Sequence, residues 1–444
     1  MIRVLQASAW YPPSHLGGTE IYVSGLVKAL RDHDISSRVV APLGSEAADG
    51  YLFDGTTVRT YTVNSRPSRA ELRAQQHDTA FDKFCALLNE ERPDVYHQHS
   101  WSRGLGGAHL HAARSAGLRT VLTVHTPDNI CMRGTMMQFG ERACDGRIDT
   151  QLCAACWGEG RGAPKALAHM LGAMPRCLSV GVERLSSDGR VMTALSARAL
   201  SEQRKEEFLR MVDDADRVVA VCGWLYEALR INQIPENKLL LSRQGVDTEF
   251  ADRLERDPPP RSARADRVLR VIYVGRWHRV KGIDVLVGAV RKISADVPVS
   301  LAIYGVGDGP EERACADEIR ALAGDDNRIR IEPPVARSLM HQVMGEADVL
   351  AVPSLWLETG PLVVLEAKAA GLPVLGSRLG GIAELVREPE DGMLVAPGDV
   401  DAWAAALTMM ATAGEMRHRP RIPTETRTMR AVATEMAMLY RSLI

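Results

Sequence analysis

The chain has 444 residues, of which 45% are hydrophobic and 25% charged, and its formal net charge is −2. A chain of this length exceeds one ordinary hydrophobic core, so two domains are expected. The small net charge and the 5% aromatic content give no electrostatic or stacking basis for nucleic acid as a partner. No apolar run is long enough to span a bilayer, and the N-terminus lacks a signal-peptide pattern. We therefore expect a cytoplasmic protein without a transmembrane segment, with peripheral membrane contact left open.

In the first half of the chain, short β-branched runs alternate with amphipathic stretches, a pattern typical of parallel α/β sheets. The predicted strands are Ile2–Ala7, Ser37–Ala41, Val95–His97, Thr120–His125 and Arg217–Val221. The predicted helices are Thr19–Asp32, Phe81–Glu91, Gly107–Ala116 and Ser201–Val212. These elements predict a Rossmann-like N-terminal domain over residues 1–250.

The segment Asp252–Arg267 is highly charged and contains three consecutive prolines, so it is expected near the interdomain linker. The alternation then restarts with predicted strands Leu269–Val274, Val299–Tyr304, Ile329–Glu332, Val349–Val352 and Pro373–Gly376. We predict a second Rossmann-like domain over residues 251–426 and an amphipathic helix over 427–444 that packs back on the first domain. In such doubly wound sheets ligands bind beyond the carboxyl ends of the strands.

The strongest functional signal is the stretch PSLWLETGPLVVLEAKAAG at Pro353–Gly371. Pro361 suits the start of a helix and Gly371 its end. The predicted helix is apolar apart from Glu366 and Lys368, so Glu366 is expected to be buried and to need a partner, such as the diol of a ribose. Glu358 lies in the preceding loop, and Gly360-Pro361-Leu362 opens a helix N-terminus that suits an anion. The alternative is a surface helix with two unrelated glutamates.

A second signal is the basic stretch after the strand that begins at Leu269. Arg276 and Lys281 follow the carboxyl end of this strand. A guanidinium and an ammonium can neutralise a diphosphate leaving group without a metal ion. A solvated basic loop is the alternative.

Two glycine-containing stretches are weaker signals. Gly17-Gly18 precedes the helix Thr19–Asp32 and permits a backbone to approach a phosphate closely. Gly305-Val306-Gly307-Asp308-Gly309 resembles a dinucleotide fingerprint, but Glu311 and Glu312 follow it and would repel a pyrophosphate. The stretch at Gly305 is therefore interpreted as the start of a helix, and an NAD-dependent oxidoreductase is disfavoured.

Several histidines and aspartates lie next to the predicted strands. His125 follows a predicted strand and can hydrogen-bond a sugar hydroxyl, although most histidines in such positions are structural. The same holds for His97 and His99. Asp214-x-Asp216 imitates a metal-binding pair, but it leads directly into a strand and is interpreted as accidental.

Four of the eight cysteines lie close together in the sequence, at Cys131, Cys144, Cys153 and Cys156. Cys153-x2-Cys156 has the spacing of half a tetrahedral site, and the other two can complete four sulfurs. A structural zinc is favoured, with free thiols second and an iron–sulfur cluster third. No metal or other cofactor is expected in the chemistry itself.

Taken together, these elements resemble glycosyltransferase family 4, the retaining enzymes of the GT-B fold, over nearly the whole chain. The matching stretches are Gly17-Gly18, His125, Gly245-Val246-Asp247, Gly275-Arg276, Lys281-Gly282, Glu358 with Glu366, Gly371-Leu372-Pro373-Val374 and Gly380-Gly381-Ile382. The resemblance implies two doubly wound domains facing across a cleft. It also implies metal-independent transfer of a hexose-type sugar, with retention, from a UDP- or GDP-sugar to a hydroxyl acceptor whose identity is open.

The resemblance also assigns roles to individual residues. Arg276 and Lys281 would hold the donor diphosphate, and Glu366 would hold the ribose. Glu358 and His125 would contact the transferred sugar and are the catalytic candidates. The Gly17-Gly18 loop would close over the phosphates.

Three departures from the family pattern concern specificity. Gln244 stands where the family usually has Asn, and Glu332-Pro333-Pro334 replaces a common Phe-Leu-Gly, which puts the nucleotide base in doubt. The cysteine-bearing insertion, about residues 131–156, follows His125 and is expected on the acceptor side.

Competing functions share this architecture. A nucleotide-sugar epimerase would bind a similar donor and transfer nothing, and a non-catalytic sugar-nucleotide binding protein would have lost a cleft residue. A phosphorylase would need a lysine carrying pyridoxal phosphate.

Overall fold

The computed structural model describes residues 1–13, 17–44, 49–64, 79–102, 104–184, 189–257, 268–413 and 427–444. The chain divides into two compact units: unit 1 comprises Met1–Arg243 with Met429–Ile444, and unit 2 comprises Gln244–Thr428. The expected boundary at residue 250 falls inside a helix of unit 2, Thr248–Arg256. Asp247 caps this helix by accepting from the backbone N–H groups of Glu249 at 2.8 Å and Phe250 at 3.2 Å. The first part of the expected linker is therefore helical, and residues 258–267 lie outside the described residues.

Unit 1 is built on a sheet that has eight strands in the part of the chain the structure describes. Its order is β10-β9-β6-β5-β1-β2-β4-β3, and every neighbouring pair is parallel except β3 with β4. The strands are β1 Ile2–Ser8, β2 Ile35–Gly44, β3 Gly50–Phe53, β4 Thr56–Val63, β5 Val95–His99, β6 Arg119–Val124, β9 Arg217–Ala220 and β10 Leu239–Leu241. A separate short hairpin joins β7 Met137–Gln138 to β8 Arg142–Ala143.

The described helices of unit 1 flank this sheet and fill the region after β6. They are α1 Gly18–Leu30, α2 Thr79–Glu91, α3 Gly107–Ser115, α4 Thr150–Glu159, α5 Lys165–Gly172, α6 Arg176–Arg184, α7 Arg190–Leu195, α8 Ala197–Asp214, α9 Gly223–Ile231 and α17 Met429–Leu443. The C-terminal helix α17 packs on α1, and both contribute apolar side chains to one buried cluster. Tyr440 anchors α17 further, because its hydroxyl lies 2.6 Å from Nδ1 of His97 in β5.

Unit 2 contains a parallel sheet of six described strands in the order β13-β12-β11-β14-β15-β16. These strands are β11 Leu269–Arg276, β12 Val299–Val306, β13 Ile329–Glu332, β14 Val349–Val352, β15 Val374–Ser377 and β16 Gly392–Val395. The described helices are α10 Thr248–Arg256, α11 Ile283–Lys292, α12 Pro310–Ala323, α13 Met340–Glu346, α14 Leu362–Ala369, α15 Gly380–Leu385 and α16 Val400–Thr412. Two apolar clusters cover the two faces of the sheet, as parallel strands require.

The glycines after β12 are explained by packing. A Cβ on Gly305 would lie 1.9 Å from the buried ring of Trp277, so this position has no room for a side chain. Gly307 has φ +105° and lies against Glu312. Glycine is therefore required at these two positions by close packing against Trp277 and Glu312. A bound cofactor is not needed to explain the glycines.

None of the described helices is long and apolar enough to cross a bilayer.

Candidate functional site

The site in unit 2 forms where the strand order of the sheet reverses. From β11 the chain builds outward to β12 and β13, and it then returns to add β14, β15 and β16 on the other side. The loops after β11 and β14 therefore diverge at their carboxyl ends and leave a crevice, which is the usual ligand position in such sheets.

Three loops are held together at this point by close backbone contacts. Gly282 has φ +67°, and a Cβ there would lie 2.1 Å from the carbonyl oxygen of Pro353. The N–H of Leu355 donates to the carbonyl of Val280 at 2.7 Å. The N–H of Gly381, after β15, donates to the carbonyl of Glu358 at 2.6 Å. The Lys281-Gly282 and Gly380-Gly381 stretches thus fix the position of the loop that carries Glu358.

Glu358 is buried and is paired with Lys281. The ammonium of Lys281 lies 2.6 Å from Oε1 of Glu358, and Ser354 donates its hydroxyl to the same oxygen at 2.7 Å. Burial raises the pKa of Glu358, but the charge and hydrogen bonds of Lys281, with those of Ser354 and Trp356, outweigh burial and lower it. The carboxylate is therefore ionised. Lys281 also lies 5.3 Å from the centre of the Trp356 ring, a cation–π contact.

Glu366 is also buried, on α14, and is paired with a residue that the sequence did not single out. Nη2 of Arg337 lies 2.8 Å from Oε1 of Glu366 and 4.0 Å from a carboxylate oxygen of Asp247. The two atoms of the Arg337–Glu366 pair are close but poorly aligned for a hydrogen bond. Glu366 thus lies beside an arginine that follows the Glu332-Pro333-Pro334 stretch, and its bond to a ribose diol stays a prediction.

The other donor-binding candidates of unit 2 lie at the same edge of the sheet. Arg276 is the exposed last residue of β11. Pro361 is the N-cap residue of α14, which begins at Leu362, and Gly360 has φ +117° immediately before it. Gly371 follows the helix with φ +65°, as predicted.

In unit 1, His125 ends a chain of buried polar side chains that runs across the sheet. Nε2 of His125 lies 2.9 Å from Nδ1 of His99, and Nε2 of His99 lies 2.8 Å from Oε1 of Gln6. The amide of Gln6 donates to the hydroxyl of Tyr440 at 3.3 Å, and that hydroxyl contacts His97. We name Gln6, His97, His99, His125 and Tyr440 the histidine chain.

Oε1 of Gln6, a hydrogen-bond acceptor, determines the tautomers of the histidines in this chain. Oε1 of Gln6 can only accept, so Nε2 of His99 carries the proton and donates. Nδ1 of His99 then accepts from Nε2–H of His125, which makes Nδ1 of His125 an acceptor nitrogen. Burial lowers the pKa of His125 to about 3, and burial with the charge of His125 lowers the pKa of His97 to about 3. The chain is therefore neutral at physiological pH.

A cavity of about 500 Å³ lies at this end of unit 1. Its lining includes Trp10, Glu20, His99, Trp101, Thr126 and Asp128. Gly17 is the N-cap residue of α1, and a Cβ there would lie 2.4 Å from Oε2 of Glu20. The buried carboxylate of Glu20 thus occupies the helix start that the Gly17-Gly18 stretch was expected to offer to phosphate. The phosphate role of this loop stays a prediction.

The four clustered cysteines line a second cavity in unit 1, of about 460 Å³. All four are free thiols and partly buried. Within the described ranges, no three His, Cys, Asp or Glu side chains are arranged closely enough to hold a metal ion. Cys153 and Cys156 lie on α4 and not in an irregular loop, because Asp149 caps a helix at Thr150.

The two aspartates of Asp214-x-Asp216 have structural partners. Asp214 lies 3.1 Å from Nδ1 of His111, and Asp216 accepts from the N–H of Thr120 at 2.9 Å and from Arg114 at 2.5 Å. Their resemblance to a metal-binding pair is thus explained by the contacts between α3, β6 and β9.

Sequence reasoning missed Arg337, Ser354 and Gln6. Ser354 lies inside the motif that contains Glu358, so its position four residues before the carboxylate was the available signal. Gln6 directly follows the buried apolar pair Val4-Leu5 in β1, and a polar residue at such a buried position needs hydrogen-bond partners. No local pattern pointed to Arg337.

Two family profiles match the chain. "Glycosyl transferase 4-like domain" matches residues 17–245, which is more than half of the chain, and "Glycosyl transferases group 1" matches residues 269–412.

A curated relative, the D-inositol 3-phosphate glycosyltransferase of Corynebacterium urealyticum, is 33% identical over 185 residues. That alignment covers 38% of this chain and 42% of the relative, so the chain spans less than half the length of the relative it matches.

Two solved structures share the fold along the whole chain. Sucrose-phosphate synthase from Thermosynechococcus elongatus is 20% identical with a TM-score of 0.66, and the match covers 100% of this chain and 99% of that chain. HepE of Anabaena, solved with UDP and glucose, is 15% identical with a TM-score of 0.62 and full coverage of both chains. With its two parallel-sheet α/β units and these family matches, the chain belongs to glycosyltransferase family 4 and has the GT-B fold.

Proposed function

We propose that this protein transfers a hexose-type sugar from a UDP- or GDP-sugar to a hydroxyl acceptor, with retention and without a divalent ion in the chemistry. The observation that carries the proposal is the set of buried charges at the switch point of unit 2. Lys281, which pairs with Glu358, follows β11, and Glu358 and Glu366 both follow β14, at the edge where a doubly wound sheet binds its ligand. HepE, a protein of the same fold, is solved with UDP and glucose, which supports a nucleotide-sugar donor.

Each charge has a proposed task. Lys281 has three N–H donors, so its bond to Glu358 leaves it able to donate to a diphosphate as well. Arg276, exposed at the end of β11, supplies a second positive charge for the leaving group. Glu366 accepts from the ribose diol, and Arg337, which already lies on this carboxylate, is placed to contact the nucleotide. Glu358 contacts hydroxyls of the transferred sugar.

The proposed reaction breaks the bond between the anomeric carbon and the diphosphate oxygen. The acceptor oxygen bonds to the same face of that carbon, and its proton passes to the leaving phosphate oxygen. Lys281 and Arg276 stabilise the charge that develops on the diphosphate. His125 remains predicted to contact a sugar hydroxyl, with Nδ1 as the acceptor. The cytoplasmic location remains a prediction from the sequence.

The test begins with unfolding midpoints in the presence of UDP, GDP, ADP and TDP, each with and without Mg²⁺. A ligand at 100 times its Kd stabilises the native state by about 2.7 kcal/mol. We expect UDP or GDP to raise the midpoint equally with and without Mg²⁺. Glu366→Gln keeps the size of the side chain but loses charge-assisted hydrogen bonds, so the affinity should fall roughly 10- to 150-fold.

Glu318→Gln is the matched control, because Glu318 is exposed and pairs with Arg279 on the surface. This variant should bind like the wild type. The sugar donors of the preferred nucleotide are then incubated without acceptor. Epimerised sugar as the product would identify an epimerase instead, and the absence of binding by every nucleotide would contradict the proposed donor site.

A further inference from the structure

Four thiols from three parts of the chain open into one cavity in unit 1, which we name the thiol cavity. Its volume is about 460 Å³, and its lining includes Cys131, Cys144, Cys153 and Cys156. All four are free and partly buried. The function proposed above makes no use of them.

The backbone around the thiol cavity is shaped to bring these four residues together. Cys131 follows a short 3₁₀ turn, and its N–H donates to the carbonyl of Pro127 at 2.8 Å. The hairpin β7–β8 then reverses the chain, and the N–H of Cys144 donates to the carbonyl of Met136 at 2.8 Å. Cys153 and Cys156 are three residues apart on α4 and so share a helix face.

This segment contains an unusual concentration of left-handed backbone. The residues with positive φ are Gly134, Met136, Phe139, Gly140 and Gly146. Two of them are not glycines, and such conformations persist only where the surroundings require them. The turns therefore serve a specific arrangement of the residues between them.

Backbone N–H groups point at the sulfurs. The N–H of Phe139 donates to Sγ of Cys156 at 3.1 Å. Backbone hydrogen bonds from Arg133, Gly134 and Met136 to Cys131, and from Gly146 to Cys144, lower the pKa of these thiols, but burial outweighs them and raises it. Hydrogen bonds of this kind stabilise thiolates and are the outer contacts that metal-bound sulfur requires.

We propose that Cys131, Cys144, Cys153 and Cys156 bind one Zn²⁺ as a structural tetrathiolate site. The four thiols lose their protons when a divalent ion binds to them, and sulfur ligands with a Cys-x2-Cys pair suit Zn²⁺. In the described residues the side chains are not yet close enough to hold an ion. Binding therefore draws the sulfurs together across the cavity and orders this segment, which couples the metal to local stability.

The zinc site also has a structural path to the other cavity of unit 1. The N–H of Cys131 donates a hydrogen bond to the turn that contains Asp128. The backbone carbonyl of Asp128 accepts a hydrogen bond from Nε of Arg204 at 3.0 Å. The guanidinium of Arg204 lies 3.7 Å from the centre of the Trp101 ring. Asp128 and Trp101 both line the 500 Å³ cavity next to His99. The metal thereby positions one wall of that cavity. That zinc affects the binding of a sugar acceptor in this cavity rests on the function proposed above.

The first test is the metal content of the full-length protein, purified under reducing conditions without chelators or a metal-affinity step. We expect about one zinc per chain in the wild type and background zinc in the double variant Cys153→Ser/Cys156→Ser. Cys177→Ser and Cys85→Ser are the matched controls, since both thiols lie outside the thiol cavity. These controls should keep the metal.

A second measurement uses the wild type alone, in case the double variant does not fold. Titration with an organomercurial in the presence of a chromogenic chelator should release zinc as the four thiols react. Cobalt(II) added to the reduced, zinc-free protein should give the thiolate-to-cobalt charge-transfer absorption of a tetrahedral sulfur site. Absence of zinc together with no cobalt uptake would overturn the proposal, and so would iron with acid-labile sulfide.

Transfer assays separate this proposal from the proposed function. If both hold, loss of zinc raises the acceptor KM several-fold and leaves nucleotide affinity unchanged. Stoichiometric zinc in a protein that binds no nucleotide would support the metal site and reject the donor. If the protein binds nucleotide and transfers sugar but never takes up zinc or cobalt, the proposed function is supported and the metal site is rejected.

Discussion

Each unit places a buried polar cluster at the carboxyl ends of its strands, but the two clusters differ in charge. In unit 2, Lys281 pairs with Glu358 and Arg337 pairs with Glu366, so the cluster is built from full charges. In unit 1, the histidine chain is neutral, because burial holds the pKa of its histidines well below the usual value. The charged cluster is the site proposed above for the nucleotide-sugar donor, and the neutral cluster contains the histidine proposed to contact a sugar hydroxyl.

The difference also affects stability. Removing one partner of a buried ion pair leaves an uncompensated charge, which is far more costly than losing one neutral hydrogen bond. The charged cluster should therefore be the more sensitive to single substitutions, and the neutral cluster the more sensitive to acid.

Among single substitutions, the largest effect on stability is expected for Lys281→Met, which leaves Glu358 buried without its cation. Breaking such a pair costs about 3–5 kcal/mol, so the unfolding midpoint in guanidinium chloride should fall clearly. Adding Glu358→Gln should restore much of the stability, since the orphaned charge is removed. Lys292→Met is the control, because Lys292 pairs with Asp401 on the exposed surface and such pairs contribute about 0–1 kcal/mol. Equal effects of Lys281→Met and Lys292→Met would contradict the contrast between buried and exposed pairs.

Acidification should destabilise the histidine chain. His97 and His125 have pKa values lowered to about 3 by burial, against about 6.5 in the unfolded chain. Because the unfolded state binds more protons between these values, stability falls as pH decreases from about 6.5 towards 3. Each histidine contributes a loss approaching about 1.4 kcal/mol per pH unit.

The measurement is the unfolding midpoint at several pH values for the wild type, for His97→Gln and for His111→Gln. The first variant should flatten the pH dependence. The second should leave it unchanged, because His111 is exposed beside Asp214. A pH dependence that neither substitution alters would mean that the histidine chain does not govern acid stability.

The smallest effect is expected for Tyr440→Phe, which removes a hydroxyl and keeps the ring. That hydroxyl contacts Nδ1 of His97 and the amide of Gln6. Without the hydroxyl these buried groups lose a hydrogen-bond partner, so the free energy of unfolding should fall by about 1–3 kcal/mol. Tyr226→Phe, in a partly buried position on α9, is a comparison variant that should cost less. If Tyr440→Phe lowered the free energy of unfolding as much as Lys281→Met does, the histidine chain would not contribute less to stability than the charged pair.

Many elements could be predicted because periodicity and turn residues act locally. Ile329–Glu332 and Val349–Val352 were predicted with the bounds they have in the structure, and Thr19–Asp32 overlaps α1 closely. Four strands of the main sheets were missed, namely β3, β4, β10 and β16. β3, β10 and β16 are edge strands of only three or four residues, too short to show a period, and β4 is rich in threonine.

The fold class and the motif that carries Glu358 and Glu366 could be predicted from the amino-acid sequence alone. Those features depend on spacing along the chain, such as Pro361 and Gly371 at the two ends of a helix. Which charge pairs with which became visible only in the three-dimensional structure. Arg337 reaches Glu366 across 29 positions, and Tyr440 reaches His97 across 343. Electrostatic and hydrogen-bond partners are chosen by distance in space, and no local pattern encodes contacts made between elements so far apart in the chain.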